Sequence, residues 1–355
     1  MPPYRLKSWI PLDKLNWSRI SENPNPGAID LLRENPQRIY RQYLSANPNP
    51  GAIDLLRQKP GDIDWRRLSA NPNPAAFELL LENPRRIDWE RLSRNPNPGA
   101  IELLRQNPDE IDWEELSRNP AAIELLREDP GEIDWNSLSA NPNPRAIDLL
   151  RQRLDLTDWE ELSRNPAAIE LLRENPQLID WQELSLNSAA IDLLRKNLDL
   201  IDWDNLSANP NPAAIDLLRA NHERINWSKL SGNPAAIDLL RKNSQRIDWV
   251  ELSYNPNPEV IDIFRKNPQR IVWSGLSANP AIFDDLEKAA GKIQQVFRGS
   301  RGYAAWAYSP ERLKSQGYFD NNMDFGKRIK RKSNITYSKM SLKTIDRLIK
   351  LIQKM

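Results

Sequence analysis

Ile111-Asp112-Trp113-Glu114-Glu115-Leu116-Ser117-Arg118-Asn119-Pro120-Ala121-Ala122-Ile123-Glu124-Leu125-Leu126-Arg127 is the stretch that decides the fold, because versions of it recur from near the start of the chain to about residue 286. A chain that repeats one short unit builds its core by stacking neighbours. Asp112 stands before Trp113 with Glu115 three residues later, the spacing of a capping box, so the pattern predicts a short helix opening at Trp113. Ile111 and Leu116 are placed to close over that helix start as a hydrophobic staple. Proline restrains the residue before it from helical angles, so the helix ends by Asn119-Pro120. The same dipeptide starts a second helix, with Asn as cap and Pro at the first helical position. Ala122, Ile123, Leu125 and Leu126 supply its apolar stripe, while Glu124 and Arg127 complement its dipole. Helices this short do not stand alone in water, so each unit is a two-helix brick that needs its neighbours.

Working outward, the Trp slot falls at residues 17, 41, 65, 89, 113, 135, 159, 181, 203, 227, 249 and 273, with Arg41 the one substitute, which gives twelve units. The step is 24 residues where the connector reads Asn-Pro-Asn-Pro, as at Asn95 to Pro98 (113 − 89), and 22 where one pair is missing, as at Asn119-Pro120 (135 − 113). A two-residue change confined to one spot marks a loop between helices of fixed length. Leucine-rich repeats share the period and an Asn. That alternative places Glu114, Arg66, Glu90, Glu160, Gln182 and Asp204 where a buried leucine is required, and only Val250 is apolar there. The expected fold is therefore an all-α solenoid, right-handed or superhelical, with residues 1–16 as an N-terminal cap, 17–286 as the repeat array and 287–355 as a basic C-terminal helical tail. At roughly 8 to 10 Å per packed helix layer, twelve stacked units predict an elongated strip on the order of 100 Å long.

Composition narrows the chemistry. The 355 residues hold 39% hydrophobic and 28% charged side chains, enough for a core along a stack. No run is long enough to span a bilayer and no signal-peptide pattern opens the chain. Zero cysteines exclude disulfides and thiolate metal sites, and fit an intracellular setting. A carboxylate recurs at Asp30, Asp54, Glu78, Glu102, Glu124, Asp148, Glu170, Asp192, Asp216, Asp238 and Asp262, with Arg three residues later in nearly every unit. Such a ladder reads as helix-surface ion pairs rather than acid/base or metal groups, because it repeats with the helix. His222, the single histidine, sits in a connector slot normally held by Pro, and no nucleophile or second ligand accompanies it. Serines such as Ser117 and Ser163 recur in every unit and read as helix-end hydrogen-bonders. The expectation is a protein that is not an enzyme and holds no cofactor or metal.

Charge is unevenly distributed. From Asp109 to Glu183 there are 19 acidic and 7 basic residues, a net of −12, which repels nucleic acid and attracts a basic surface. Upstream, Arg66, Arg67, Arg85, Arg86, Arg91 and Arg94 form a small basic group. From Gly291 to Met355 there are 15 basic and 4 acidic residues, a net of +11.

The lead-in Trp9-Ile10-Pro11, followed by reiterated Asn-Pro-Asn-Pro, Ile-Asp-Leu-Leu and Ile-Asp-Trp units such as Asn209 to Trp227, resembles the Asn-Pro-rich repeat proteins of large DNA viruses that infect amoebae and algae. The similarity covers residues 5 to about 286. It implies a viral repeat scaffold for protein–protein interaction, and supplies no activity and no functional residues. In the tail, Ala289 to Gly299 resembles an IQ motif: Ile293, Gln294, Arg298 and Gly299 match, Phe297 adds to the apolar face and Trp306 closes it, while Tyr303 replaces the second basic residue. The resemblance implies a calmodulin or EF-hand type of partner. A competing reading uses Ile293, Val296 and Phe297 to cap the end of the stack. Lys327, Arg328, Lys330, Arg331 and Lys332 form a basic cluster of the kind used for nuclear import or for sequence-indifferent, salt-sensitive contact with nucleic acid. Ser341 then opens a basic amphipathic helix carrying Leu342, Ile345, Leu348, Ile349 and Ile352 on one face.

Overall fold

In the computed structural model, which describes residues 4–285, each of the first eleven repeats runs as a turn, two extended residues, a Trp helix (Arg41 in the second), an Asn-Pro or Asn-Ser connector and a second helix. The chain divides into two units, and the repeats fill the one spanning Ser8–Ile282. In the fifth repeat the 3-10 turn is Pro108–Glu110, the Trp helix Trp113–Arg118 and the second helix Ile123–Glu128. Asp112 caps the Trp helix by accepting from the Glu115 amide at 3.0 Å. The reciprocal half of the expected capping box does not form. The Asp112 amide donates instead to Ser93 Oγ of the preceding repeat at 3.0 Å, and the Glu115 carboxylate takes Arg94 Nε of that repeat at 2.6 Å. Contact with the neighbour outcompetes the local cap because the neighbour's hydroxyl is buried and needs a donor.

The connectors explain the two periods. In a 24-residue unit Asn97 caps the second helix, accepting from the Gly99 amide at 2.8 Å, and Asn95 accepts from the Asn97 amide at 2.9 Å. In a 22-residue unit one Asn does both tasks: Asn119 accepts from the Ala121 amide at 3.0 Å, and the regular helix starts at Ile123. The core is an apolar file repeated around the array. Leu68, Leu92, Leu116, Leu138 and Leu162 from Trp helices, and Ala76, Ala100, Ala122 and Ala146 from second helices, are all fully buried.

Between these apolar files runs a buried polar ladder. Ser163 Oγ donates to the Trp159 carbonyl at 2.7 Å and accepts from the Asp180 amide of the next repeat at 3.0 Å. Asn119 Nδ2 donates to the carbonyls of Ser93 and Asn95 in the repeat before it, both at 2.9 Å. The same two struts recur from repeat to repeat, as at Asn71, Asn95, Asn141, Asn165, Asn187, Asn209, Asn233 and Asn255. They satisfy backbone carbonyls that the short helices leave unpaired.

The ladder has no free end. Asn23 of the first repeat donates to the Ser277 carbonyl of the last at 3.0 Å, Asn25 donates to the Pro280 carbonyl at 2.9 Å, and the Asn16 amide donates to Ser277 Oγ at 2.9 Å. The amide-to-serine bond is made at every interior junction and the asparagine bonds are of the interior kinds, though Asn23 reaches one carbonyl where Asn119 reaches two; the first Trp helix, Trp17–Glu22, packs against the last, Trp273–Ala278. The elongated strip expected from stacking is therefore corrected. The array of all-α repeats closes on itself, and the same length of roughly 100 Å becomes a circumference, of radius about 17 Å at that layer spacing. Closure of twelve like units requires a turn of about 30° at each junction and no net rise, so equivalent residues lie in one plane. Neighbouring Trp helices approach more closely than neighbouring second helices, which puts the Trp helices on the inner circumference.

Leu12–Lys14 occupies the place of the first repeat's turn, with Ile10 and Leu15 buried beside it and Trp9 half-buried. In the other unit, β1 (Tyr4–Leu6) pairs antiparallel with β2 (Phe283–Asp285) in the register Tyr4 to Asp285 and Leu6 to Phe283, and Lys7 pairs with Asp284. Among the described residues no helix is long and apolar enough to cross a membrane.

Candidate interaction surface

Positions with structural duty, the Trp, Leu, Ser and Asn slots, are nearly invariant from unit to unit. A surface that distinguishes one part of the array from another must use the remaining slots. The exposed turns that join each second helix to the next Trp helix carry most of this variation. They lie at the opposite helix ends from the Asn-Pro connectors, so together they form one edge of the array.

The residue three before each Trp slot reads, from the first repeat to the twelfth, Lys14, Arg38, Asp62, Arg86, Glu110, Glu132, Leu156, Leu178, Leu200, Arg224, Arg246 and Arg270, and all twelve are exposed. Because the twelfth repeat adjoins the first, Arg224, Arg246, Arg270, Lys14 and Arg38 are consecutive. They make a basic arc assembled from both ends of the sequence. Glu110 and Glu132, with Asp109 and Asp129 beside them, form an acidic arc nearly opposite. Leu156, Leu178 and Leu200, together with Leu154 and Leu198, form an exposed leucine arc between the two.

Three of the arc's arginines are held in place by stacking on the indole of the preceding repeat: Arg38 over Trp17 at 4.9 Å, Arg224 over Trp203 at 5.1 Å and Arg270 over Trp249 at 5.9 Å. A stacked guanidinium keeps its in-plane N–H donors available, and the stack removes part of the entropy lost on binding. Sequence reasoning missed this arc. Its signal was the basic residue three before the Trp slot in six units, five of which are consecutive only in a circular order that the linear chain does not display.

The recurrent carboxylates behave as surface ion pairs. Arg105 holds Glu102 on its own helix at 2.7 Å and Glu128 of the next repeat at 3.0 Å; Arg57 reaches Glu82 at 2.7 Å and Arg241 reaches Glu259 at 2.6 Å. Hydrogen bonds from arginine hold the Glu82 and Glu115 carboxyls below the usual carboxylate range. Asp248 is lowered by the Ser228 hydroxyl and by its capped amides. His222 lies exposed, 3.5 Å from Glu223. Among the described residues no group of His, Cys, Asp and Glu is arranged to hold a metal ion.

The tail residues singled out by sequence, Ile293, Gln294, Phe297, Arg298, Gly299 and Trp306 of the IQ-like segment and Lys327, Arg328, Lys330, Arg331 and Lys332 of the basic cluster, lie outside the described residues. Comparison of the chain with protein-family models, with curated proteins and with solved structures gives no match.

Proposed function

We propose that the chain is a non-enzymatic scaffold that docks other proteins on the faces of its repeat array, as expected of the viral Asn-Pro repeat proteins it resembles, acting in host cytoplasm or virion. The observation that carries this reading is the division of labour among slots: the buried ladder and core recur unchanged, while the exposed slots differ in blocks of adjacent repeats. The block from Asp109 to Glu183, net −12, favours a partner with a basic surface. Affinity capture from cells tests it with the full-length chain and a variant carrying Glu114→Gln, Asp148→Asn and Glu160→Gln, three exposed carboxylates away from the turn edge. Specific partners retained by the first and lost by the second support the proposal; background alone with both contradicts it.

A second reading rests on the +11 tail, which favours nucleic acid or a virion core as a salt-sensitive, sequence-indifferent ligand, with nuclear entry through the same cluster. Binding of mixed-sequence DNA that weakens steeply with salt and vanishes when Lys327, Arg328, Lys330, Arg331 and Lys332 become Gln supports it. The IQ-like segment adds a calmodulin-type partner, tested by titrating the full chain with calmodulin in the presence and absence of calcium.

A further inference from the structure

We propose that two copies of the array stack face to face through their turn edges, forming a twofold-symmetric dimer in which each basic arc meets the partner's acidic arc. The occupant of this edge is a second copy because the edge is complementary to itself. A twofold axis lying in the plane of the array and passing between the eighth and ninth repeats reverses the order of repeats on the facing copy. The ninth then faces the eighth, the tenth the seventh, the eleventh the sixth, the twelfth the fifth, the first the fourth and the second the third.

In that register Leu200 faces Leu178 beside the axis, so side chains that are 48% and 42% exposed in the single array cover one another. Arg246 faces Glu132, and Arg270 faces Glu110. Arg38 faces Asp62, which already lies 3.3 Å from Arg41 of its own chain. Arg224 faces the turn holding Leu156 and Asp155. Lys14 faces Arg86, a like-charge meeting with Asp13 beside it facing Arg85, and Glu223 beside Arg224 faces Asp155, a second like-charge meeting. Each pairing occurs twice, as an isologous interface requires. The sequence order of the charges is not itself symmetric; the match appears only when the array is closed and reversed.

The edge is suited to such a contact in two further ways. Equivalent turns of a closed array share a plane, so many touch a facing copy at once. Three exposed residues from each of twelve turns are on the scale of the roughly 20–30 residues a side of a stable interface. Among the described residues Lys14, Arg38, Arg246 and Arg270 have no carboxylate within ion-pair distance, which suits them to pairing with a facing copy.

Sedimentation velocity on the full-length chain tests the proposal. The wild type is expected to sediment as a dimer that dissociates as salt is raised, since the arcs are exposed and screened. A variant carrying Arg246→Glu and Arg270→Glu is expected to be monomeric, and so is one carrying Glu132→Arg and Glu110→Arg. Mixing the two restores every substituted pair to opposite sign and should yield a heterodimer. A variant with all four changes should dimerise alone, which shows that the substitutions leave the fold intact. A monomeric wild type overturns the proposal, as do dimers that persist in both charge-reversed variants or a mixture that stays monomeric.

Discussion

The junction between the last repeat and the first differs from an interior junction in what surrounds the ladder more than in the ladder itself. At the interior junction of the fourth and fifth repeats, Asn119 bonds two carbonyls, Asp112 donates to Ser93, and Arg94 reaches across to Glu115. At the closing junction Asn23 bonds the Ser277 carbonyl and Asn16 donates to Ser277, yet no ion pair crosses it among the described residues of Ser8–Ile282. The second helix of the last repeat is replaced by the turn Pro280–Ile282, and Trp17 is the one buried Trp among the Trp slots. The polar ladder is therefore the part of the repeat that closure needs, and the surface ion pairs are additions. This agrees with the small worth of exposed ion pairs and the larger cost of orphaning buried polar groups.

The largest expected effect comes from removing one whole repeat, Trp249 to Val272. Eleven units must then complete the circle, adding about 3° at every junction, or leave it open. In a closed array the first and last repeats lose amide hydrogen-exchange protection together, Asn16 among the first, as the shared junction fails. In an open stack the same deletion shortens the molecule and leaves protection of the first repeat unchanged.

Next in size, Asn119→Ala orphans two buried carbonyls and one amide, for a cost of about 3–5 kcal/mol in urea unfolding. Asn23→Ala, which loses the Ser277 carbonyl and the Asn25 amide, costs about 2–4 kcal/mol if the junction is closed. A cost for Asn23→Ala below about 0.5 kcal/mol, the usual limit for a surface change, removes the equivalence.

The smallest effect separates the two junctions by pH. The folded carboxyl of Glu115 is lowered, first by its hydrogen bond with Arg94, so its stabilisation is fully present above its ordinary value of 4.5 and is lost as pH falls through the lower folded value. Acid unfolding should therefore lose part of its slope in that window when Glu115 is changed to Gln. Asn23→Ala leaves that slope unchanged, because no ionisable group is involved.

Much of this fold was legible in the chain. The Trp and Asn-Pro registers located the helices because capping and proline geometry act locally. The roles of Ser93 and Asn119 were only half legible. Each reads as a helix-end residue from its own unit, and its second bond reaches a neighbour 19 to 26 residues away. The half-formed capping box has the same cause, since a buried hydroxyl on the neighbouring repeat claims the Asp112 amide. Closure was not legible at all. It depends on the turn made at each junction multiplied by the number of junctions, and no single unit encodes that product. The basic arc of the turn edge was hidden for the same reason: Lys14 and Arg38 are neighbours of Arg270 only on a circle.

Closure itself is tested most directly by resonance energy transfer between two dyes on cysteines introduced at Ser18 and Ser274, possible because the chain has no cysteine of its own. The reference pair is Ser18 and Gln42, on adjacent Trp helices of the first and second repeats. A closed array predicts equally high transfer for both pairs. High transfer for 18 and 42 with transfer near zero for 18 and 274, as an open stack on the order of 100 Å long would give, contradicts closure.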